Sequence, residues 1–313
     1  MQLVRSLDDI PADLAASVVT IGNFDGVHLG HQHVISLARA QADALGTDVV
    51  AVTFDPHPFA VLRPEHAPVM LSELSERAGL LRTAGADHIL ALPFDSDMAA
   101  WSPTDFVDRV LVAGLRAVVV VVGANFRFGR RASGDVNTLS ALGEDRGFRV
   151  VAVPLDGGPQ VWSSTYVRNC LAAGDVAGAA EALGRPYAVS GPVIRGDQRG
   201  RELGYPTANV AFTPGLAAPA DGVYAGWLTR LDTGERFPAA ISVGTNPTFE
   251  GHRKRRVEAY ALDRDDLELY GTEVRVEFVE RLRGMVAFDG VESLLDAMAD
   301  DVARARQILS GPA

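Results

Sequence analysis

Between Val18 and about Ala173, short apolar runs alternate with stretches whose apolar residues recur at helical spacing. Val18–Phe24, Asp48–Phe54, Ala86–Phe94, Ala117–Gly123 and Phe148–Leu155 read as strands, and His33–Leu45, Glu73–Thr83, Pro103–Leu115 and Val136–Asp145 read as helices between them. Apolar strands separated by helices predict a parallel sheet covered on both faces. Ligands of such sheets bind beyond the carboxyl ends of the strands. The polar, glycine-bearing loops after Ile21, Thr53 and Val122 are therefore expected along one rim.

After Tyr187 the period changes to short alternating runs: Tyr187–Ile194, Thr207–Phe212, Gly222–Leu231, Ala239–Gly244, Arg256–Leu262 and Glu273–Leu282. Six such runs joined by Gly- and Pro-bearing turns predict a six-stranded antiparallel barrel. The final pattern, Val291, Leu294, Leu295, Met298, Val302 and Ala305, predicts an amphipathic terminal helix packed on that barrel. The fold class is thus α/β plus all-β. The change of period falls within Cys170–Pro186, and the expected domains are 1–183 and 184–313.

Composition narrows the function classes. A chain of 313 residues is long enough for two cores. Its net charge of -11 argues against a nucleic-acid partner, which would call for a basic face. Local donors and a magnesium ion can still make a cleft attractive to phosphate. A single cysteine, Cys170, excludes an intrachain disulfide and a thiolate metal cage. Met1–Asp13 carries Arg5, Asp8, Asp9 and Asp13 without an apolar segment, so no secretory signal is expected. The longest purely apolar run, Ala117–Val122, is too short to span a bilayer, and the expected setting is cytoplasmic, without a membrane partner. A homo-oligomer is compatible with all of this.

The chemistry begins at Gly22-Asn23-Phe24-Asp25-Gly26-Val27-His28-Leu29-Gly30-His31, where a strand feeds a helix. Free N–H groups and the positive end of the helix dipole make such a junction a phosphate site. Two imidazoles there can donate to charge that develops during reaction. A second anion cradle is expected where Ser163-Ser164-Thr165-Tyr166-Val167-Arg168 opens a helix. No G-x-G spacing occurs, and the only lysine, Lys254, is outside any Walker context. Three other readings stand beside this one. His28, His31 and His33 could bind zinc, both HxGH histidines could be merely structural, and the Ser-Ser-Thr run could be a simple helix cap. Together the two segments resemble the HxGH nucleotidyltransferase superfamily, whose members transfer a nucleotidyl group and release pyrophosphate. That resemblance makes the predicted parallel sheet Rossmann-like.

Two further loops, Thr53-Phe54-Asp55-Pro56-His57-Pro58 and Gly123-Ala124-Asn125-Phe126-Arg127-Phe128-Gly129, put phenylalanines beside polar groups on the same rim. That suits a flat aromatic ligand with polar edges. Phe54 and Phe126 could equally fill the core beneath. In the second half, glycines at 191, 196, 200 and 204 favour a flap, and Arg199 and Arg201 could face phosphates. Thr207 and Asn209 alternate along one strand and offer oxygen ligands suited to magnesium. Glu258 shares a strand face with Tyr260 and Leu262; it is either a partly desolvated general base or a solvated surface glutamate.

These motifs, with the Arg201–Asn209 segment and Val243-Gly244-Thr245-Asn246-Pro247-Thr248-Phe249, resemble in their order the bacterial bifunctional riboflavin kinase/FAD synthetases. The resemblance implies an N-terminal FMN adenylyltransferase and a C-terminal riboflavin kinase using ATP and Mg2+, with riboflavin, FMN and FAD as substrates and products. It implies that His28 and His31 serve adenylyl transfer, while Gly22, Asn23, Phe24, Asp25, Gly30, Ser164, Thr165 and Arg168 hold the nucleotide. Phe54, Pro56, Pro58, Arg63, Asn125 and Phe128 are the implied flavin contacts. Gly196, Arg199 and Arg201 are implied for nucleotide in the barrel, Thr207 and Asn209 for the metal, and Glu258 for activating the ribityl hydroxyl. Ala124 and Tyr205 replace the Glu and Phe of many relatives, and Gly284–Phe288 is less basic than usual. A single-activity enzyme and a non-catalytic flavin sensor are the rival expectations.

Overall fold

The structure, a computed structural model, describes residues 3–11, 14–154, 162–196, 203–245 and 255–311. The chain divides into two compact units, Met1–Ser164 and Thr165–Ala313.

The first unit is a parallel sheet of β1 (Leu3–Val4), β2 (Ser17–Ile21), β3 (Asp48–Asp55), β4 (His88–Pro93), β5 (Ala117–Gly123) and β6 (Arg149–Val153). Their order is β1-β4-β3-β2-β5-β6. Its helices are α1 (Leu29–Leu45), α2 (Pro58–Leu62), α3 (Leu74–Thr83), α4 (Ser96–Ala99), α5 (Pro103–Phe106) and α6 (Val136–Arg146). The strands are mostly apolar because both faces are covered. Val18 and Val119 point into a core with Ile35, Ala38 and Leu81, whereas Val19, Ile21 and Val120 point into a second core with Val107, Leu111 and Leu139. The two-residue β1 and the single-turn α2 and α4 are too short to leave a period and were absent from the expected elements.

The helix expected over Pro103–Leu115 is α5 followed by a π-helical stretch, Val107–Gly114. Hydrogen bonds there reach five residues, as from Leu115 N to Val110 O (2.9 Å). The wider turn keeps Val107, Leu111 and Leu115, each four apart, fully buried on the sheet.

The second unit opens one residue into α7 (Ser164–Ala173), which is followed by α8 (Val176–Leu183). These helices group with the barrel, ahead of the expected division at 183/184. Helical periodicity says that a face is buried, not against which core. Arg281 ties α7 to the barrel by donating to Ala173 O (3.1 Å).

The barrel comprises β7 (Tyr187–Ile194), β8 (Ala208–Val210), β9 (Gly222–Arg230), β10 (Arg236–Thr245), β11 (Arg255–Ala261) and β12 (Glu273–Gly284). It closes in the order β10-β11-β8-β7-β12-β9 with every pair antiparallel. Val189, Tyr224, Leu228, Ile241, Val257, Val276 and Phe278 fill it completely. Packing is tight enough that a Cβ on Gly226 would sit 1.9 Å from Glu277 O. Gly226→Ala is therefore expected to destabilise the barrel by about 3 kcal/mol, at the upper end for an overpacked core. Denaturant unfolding followed by tryptophan fluorescence measures this.

The terminal helix α9 (Val291–Leu309) covers the outer face of the barrel, where Val302, Ala305, Ile308 and Leu309 meet Val223, Ala225, Tyr260 and Leu262. Val291, expected on the packed face, lies 59% exposed at the helix start, one turn before packing begins. Asp301 is buried instead, because Arg283 on β12 grips its carboxylate with Nε (3.0 Å) and Nη2 (2.7 Å).

Candidate active sites

In the first unit the loops after β2 and β3 meet on the expected rim. Asn23 O accepts from Thr53 Oγ1 (3.0 Å), and Asn23 Nδ2 lies 3.1 Å from His57 Nε2. The helix expected from His33 starts at Leu29, with His28 as its N-cap: His28 Nδ1 accepts from His31 N–H (3.4 Å). Histidine is not among the usual caps, so the sequence signal for this start is weak.

The cap turns both imidazoles together. Their rings stack at 3.7 Å between centroids and 22° between planes. A Cβ at Gly30 would come within 3.1 Å of the His28 ring, so the glycine admits that stack. Phe24 and His31 meet in a T-shaped contact, 5.2 Å between ring centroids. His31 Nδ1 is fully enclosed and has no hydrogen-bond partner. Burial, then the neighbouring His28 and Arg77, hold the His31 pKa well below the ordinary imidazole value, so the ring is neutral near pH 7. His33 is exposed, and among the described residues no three His, Cys, Asp or Glu side chains gather as for a metal.

Asp25, expected at the nucleotide, faces inward. It is 2% exposed, and its carboxylate accepts from the N–H groups of Leu71 (2.9 Å) and Ser72 (3.2 Å). Gly26 N–H donates to Ser72 Oγ (3.1 Å), Gly22 N–H donates to Val52 O (3.1 Å), and Ser164 Oγ donates to Asp25 O (2.9 Å). Ser164 thus joins the loop as it opens α7. Thr165 and Arg168 follow on that helix, exposed and half-buried, within the second unit.

Around the rim, Pro56 and Arg63 are exposed, and Pro58 starts α2 behind its cap His57. Asn125 is exposed after β5. Phe54 and Phe126 pack on the edge of the core, while Phe128, expected at the flavin, is 8% exposed and stacks on Phe126 at 5.4 Å. The sequence reading missed Arg77 of α3, which is 4% exposed and donates to Asn23 O (3.2 Å). Its signal was an arginine interrupting the buried helical face of Ala78 and Leu81.

In the second unit the barrel register sets a row of polar groups on its outer face. Glu258 of β11 pairs directly with Asn209 of β8 on one side and Ser242 of β10 on the other. Residues directly opposite in such a pair have Cβ atoms about 5 Å apart. Glu258 is half-buried and, by alternation, shares its face with Tyr260 and the buried Leu262. Tyr260 meets Tyr205 edge-on at 5.3 Å. Asn209 is 9% exposed, and its Oδ1 has no partner. A Cβ on Gly196 would lie 2.4 Å from Asn209 Nδ2, so the backbone after β7 runs against that amide. Thr207 is half-buried just before β8. Arg199, Arg201 and the Asn246-Pro247-Thr248 segment lie outside the described residues.

Comparisons with known proteins agree on both halves. The family model described as FAD synthetase matches residues 10–165, and the one described as riboflavin kinase matches residues 183–309. A bifunctional riboflavin kinase/FMN adenylyltransferase of Pseudomonas fluorescens is 39% identical, covering 98% of each chain. Proteins of the same description from Escherichia coli K12 (34%, 98% of this chain and 97% of that one) and Bacillus subtilis (32%, 93% and 92%) are similar. A solved structure described as a macrolide-efflux protein of Streptococcus pneumoniae superposes with a TM-score of 0.87 at 29% identity, covering 97% of this chain and 98% of that one. In this chain no described helix is long and apolar enough to cross a membrane. With both halves matched in order and whole-length relatives on either side, the chain belongs to the bifunctional riboflavin kinase/FMN adenylyltransferase family.

Proposed function

We propose that the two reactions of this family are divided between the two polar clusters described above. The enzyme phosphorylates riboflavin to FMN with ATP and then adenylylates FMN to FAD. In the barrel, the Glu258 carboxylate takes the proton of the ribityl 5′-hydroxyl as that oxygen attacks the γ-phosphorus of ATP; ADP leaves. Phosphoryl transfer needs little beyond such positioning and charge neutralisation. In the α/β half, a phosphate oxygen of FMN attacks the α-phosphorus of a second ATP, and pyrophosphate leaves. His28 and His31 donate to the α-phosphate oxygens as their charge builds, which stabilises the transition state more than the ground state.

Gly22–Gly30 with Ser164 forms the nucleotide cradle of the first unit in this reading, with Asp25 fixing its shape from within, and the family resemblance assigns Thr165 and Arg168 to the nucleotide as well. Phe54, Pro56, Pro58, Arg63 and Asn125 face the flavin; Phe128 supports them from the core. Both reactions belong in the cytoplasm. In this reading the functional domains are 1–183 and 184–313, although α7 and α8 group with the barrel, and the partners are riboflavin, FMN, FAD and ATP, with no nucleic acid or membrane.

Magnesium fits the donors of the barrel. Asn209 Oδ1 is enclosed and unpartnered, which is costly unless a ligand completes it. Thr207 and Asn209 would hold the ion, which would neutralise ATP phosphate charge. Asn209→Ala is expected to raise the magnesium concentration for half-maximal FMN formation about tenfold, the loss of one good ligand interaction. Its effect on FAD formation from supplied FMN is expected to be nil.

The observation that carries the reading is the direct pairing of Glu258 with Asn209 in the second unit, together with a separately built His28–His31 stack in the first. One incubation with riboflavin, ATP and magnesium, resolved by chromatography, tests it. FMN should rise first and FAD follow, and starting from FMN should give FAD without a lag. Accumulation of FMN with no FAD, or no turnover of riboflavin, would overturn the two-site assignment.

A further inference from the structure

The loop between β2 and α1 is strained. Phe24 and Val27 take left-handed backbone conformations, φ 49° and 41°, which a β-branched residue such as Val27 ordinarily avoids. Strain of this kind persists only where the surroundings over-determine it. Two buried groups do so here. The Asp25 carboxylate takes the backbone N–H groups of Leu71 and Ser72, and Arg77 reaches up from α3. One Arg77 Nη donates to Asn23 O (3.2 Å) and Thr53 Oγ1 (3.4 Å), and the other donates to Ser72 O (3.4 Å). Thr53 Oγ1 itself donates to Asn23 O, so three segments of chain converge on one guanidinium.

Burying a guanidinium is costly, and at 4% exposure Arg77 meets mostly carbonyl and hydroxyl oxygens, with Nε left unpartnered. A charge kept there against that cost calls for a function. We propose that Arg77 is a positioning residue for adenylyl transfer, setting the Asn23–His28 backbone and through it the placement of His28 and His31. The inference rests on His28 and His31 being the adenylyl-transfer site. The groups facing His31 are the His28 ring, the Phe24 ring and Arg77, whose own charge is opposed by Asp25 and Asp55. Loss of the Arg77 charge therefore also lets His31 protonate at higher pH.

The test uses the full chain and three variants, assayed separately for FMN formation and for FAD formation from supplied FMN. A displacement of about 1 Å at a catalytic group can cost a hundredfold, so Arg77→Met is expected to lower kcat/KM for FAD formation by about a hundredfold, with FMN formation unchanged. Arg77→Lys, which keeps the charge and part of the bonding, should recover about tenfold of that loss. His31, followed by NMR, should titrate at higher pH in Arg77→Met and as in the wild type in Arg77→Lys. Thr53→Val, which exchanges only a hydroxyl for a methyl in a strand, should cost about fivefold in FAD formation, and it decides the matter if Arg77→Met does not fold.

FAD formation within threefold of wild type in Arg77→Met or unchanged in Thr53→Val would overturn the proposal. So would equal losses in the Met and Lys variants with His31 titration unmoved, since that is the behaviour of a packing residue. His28→Ala with His31→Ala is run alongside. If that double variant still makes FAD, the site assignment itself has failed; if it does not and Arg77→Met does, only the role of Arg77 has.

Discussion

Glu258→Ala should reduce FMN formation from riboflavin about a thousandfold while FAD formation from supplied FMN continues at the wild-type rate. A positioned general base contributes roughly two to four powers of ten, and Glu258 is the carboxylate that the register sets against Asn209. The substitution is on the outer face of β11, away from the filled interior of Val257 and Ala259, so the barrel should remain folded. Glu258→Gln keeps size and hydrogen-bonding capacity but cannot take a proton. It should be nearly as inactive, with the KM for riboflavin within threefold of wild type. The two rates are measured by chromatography from separate starting flavins. Retention of FMN formation in Glu258→Gln would show that the carboxylate is not the base.

The opposite pattern is expected of His28→Ala combined with His31→Ala. Removing one donor to a developing oxyanion costs about a hundred- to a thousandfold. Two donors acting on one phosphate are not additive, so a joint loss of about ten-thousandfold in FAD formation is the expected result, with FMN formation untouched. His28 also caps α1, and losing a cap costs about 1 kcal/mol. His28→Asn separates the two roles, because asparagine caps well but has no imidazole. Thermal unfolding near wild type together with lost FAD formation in His28→Asn would assign the loss to chemistry. Substantial FAD formation in the double variant would remove both histidines from the mechanism.

The elements were legible wherever a period ran long enough. β5 and β7 have the bounds expected of them, since Ala117–Gly123 is an unbroken apolar run and Tyr187–Ile194 is a largely apolar stretch bounded by Pro186 on one side and Arg195-Gly196 on the other. β8 is shorter than the run that predicted it, Ala208–Val210 against Thr207–Phe212, because pairing with β7 and β11 stops where the chain leaves the barrel. α1 was expected four residues late because its cap is a histidine and its first turn is Leu-Gly-His-Gln, which carries no apolar repeat. Of the candidate site, the stacked histidines and the face shared by Glu258 and Tyr260 follow from local spacing. The inward turn of Asp25 and the burial of Phe128 do not. Both are satisfied by distant partners, Leu71 and Ser72 in one case and Phe106 in the other.

Strand and helix identity, the change from covered sheet to barrel, and the places where polar chemistry interrupts the pattern are local properties, written in residues a few positions apart. Periodicity and turn chemistry therefore suffice to read them. The strand order, the insertion of β8 between β7 and β11, the meeting of Asn209 with Glu258 and the burial of Arg77 and Asp301 emerge only from the folded chain. A buried charge is tolerable only beside partners that supply its hydrogen bonds, and those partners arrive from remote segments. No local pattern announces which segments those will be.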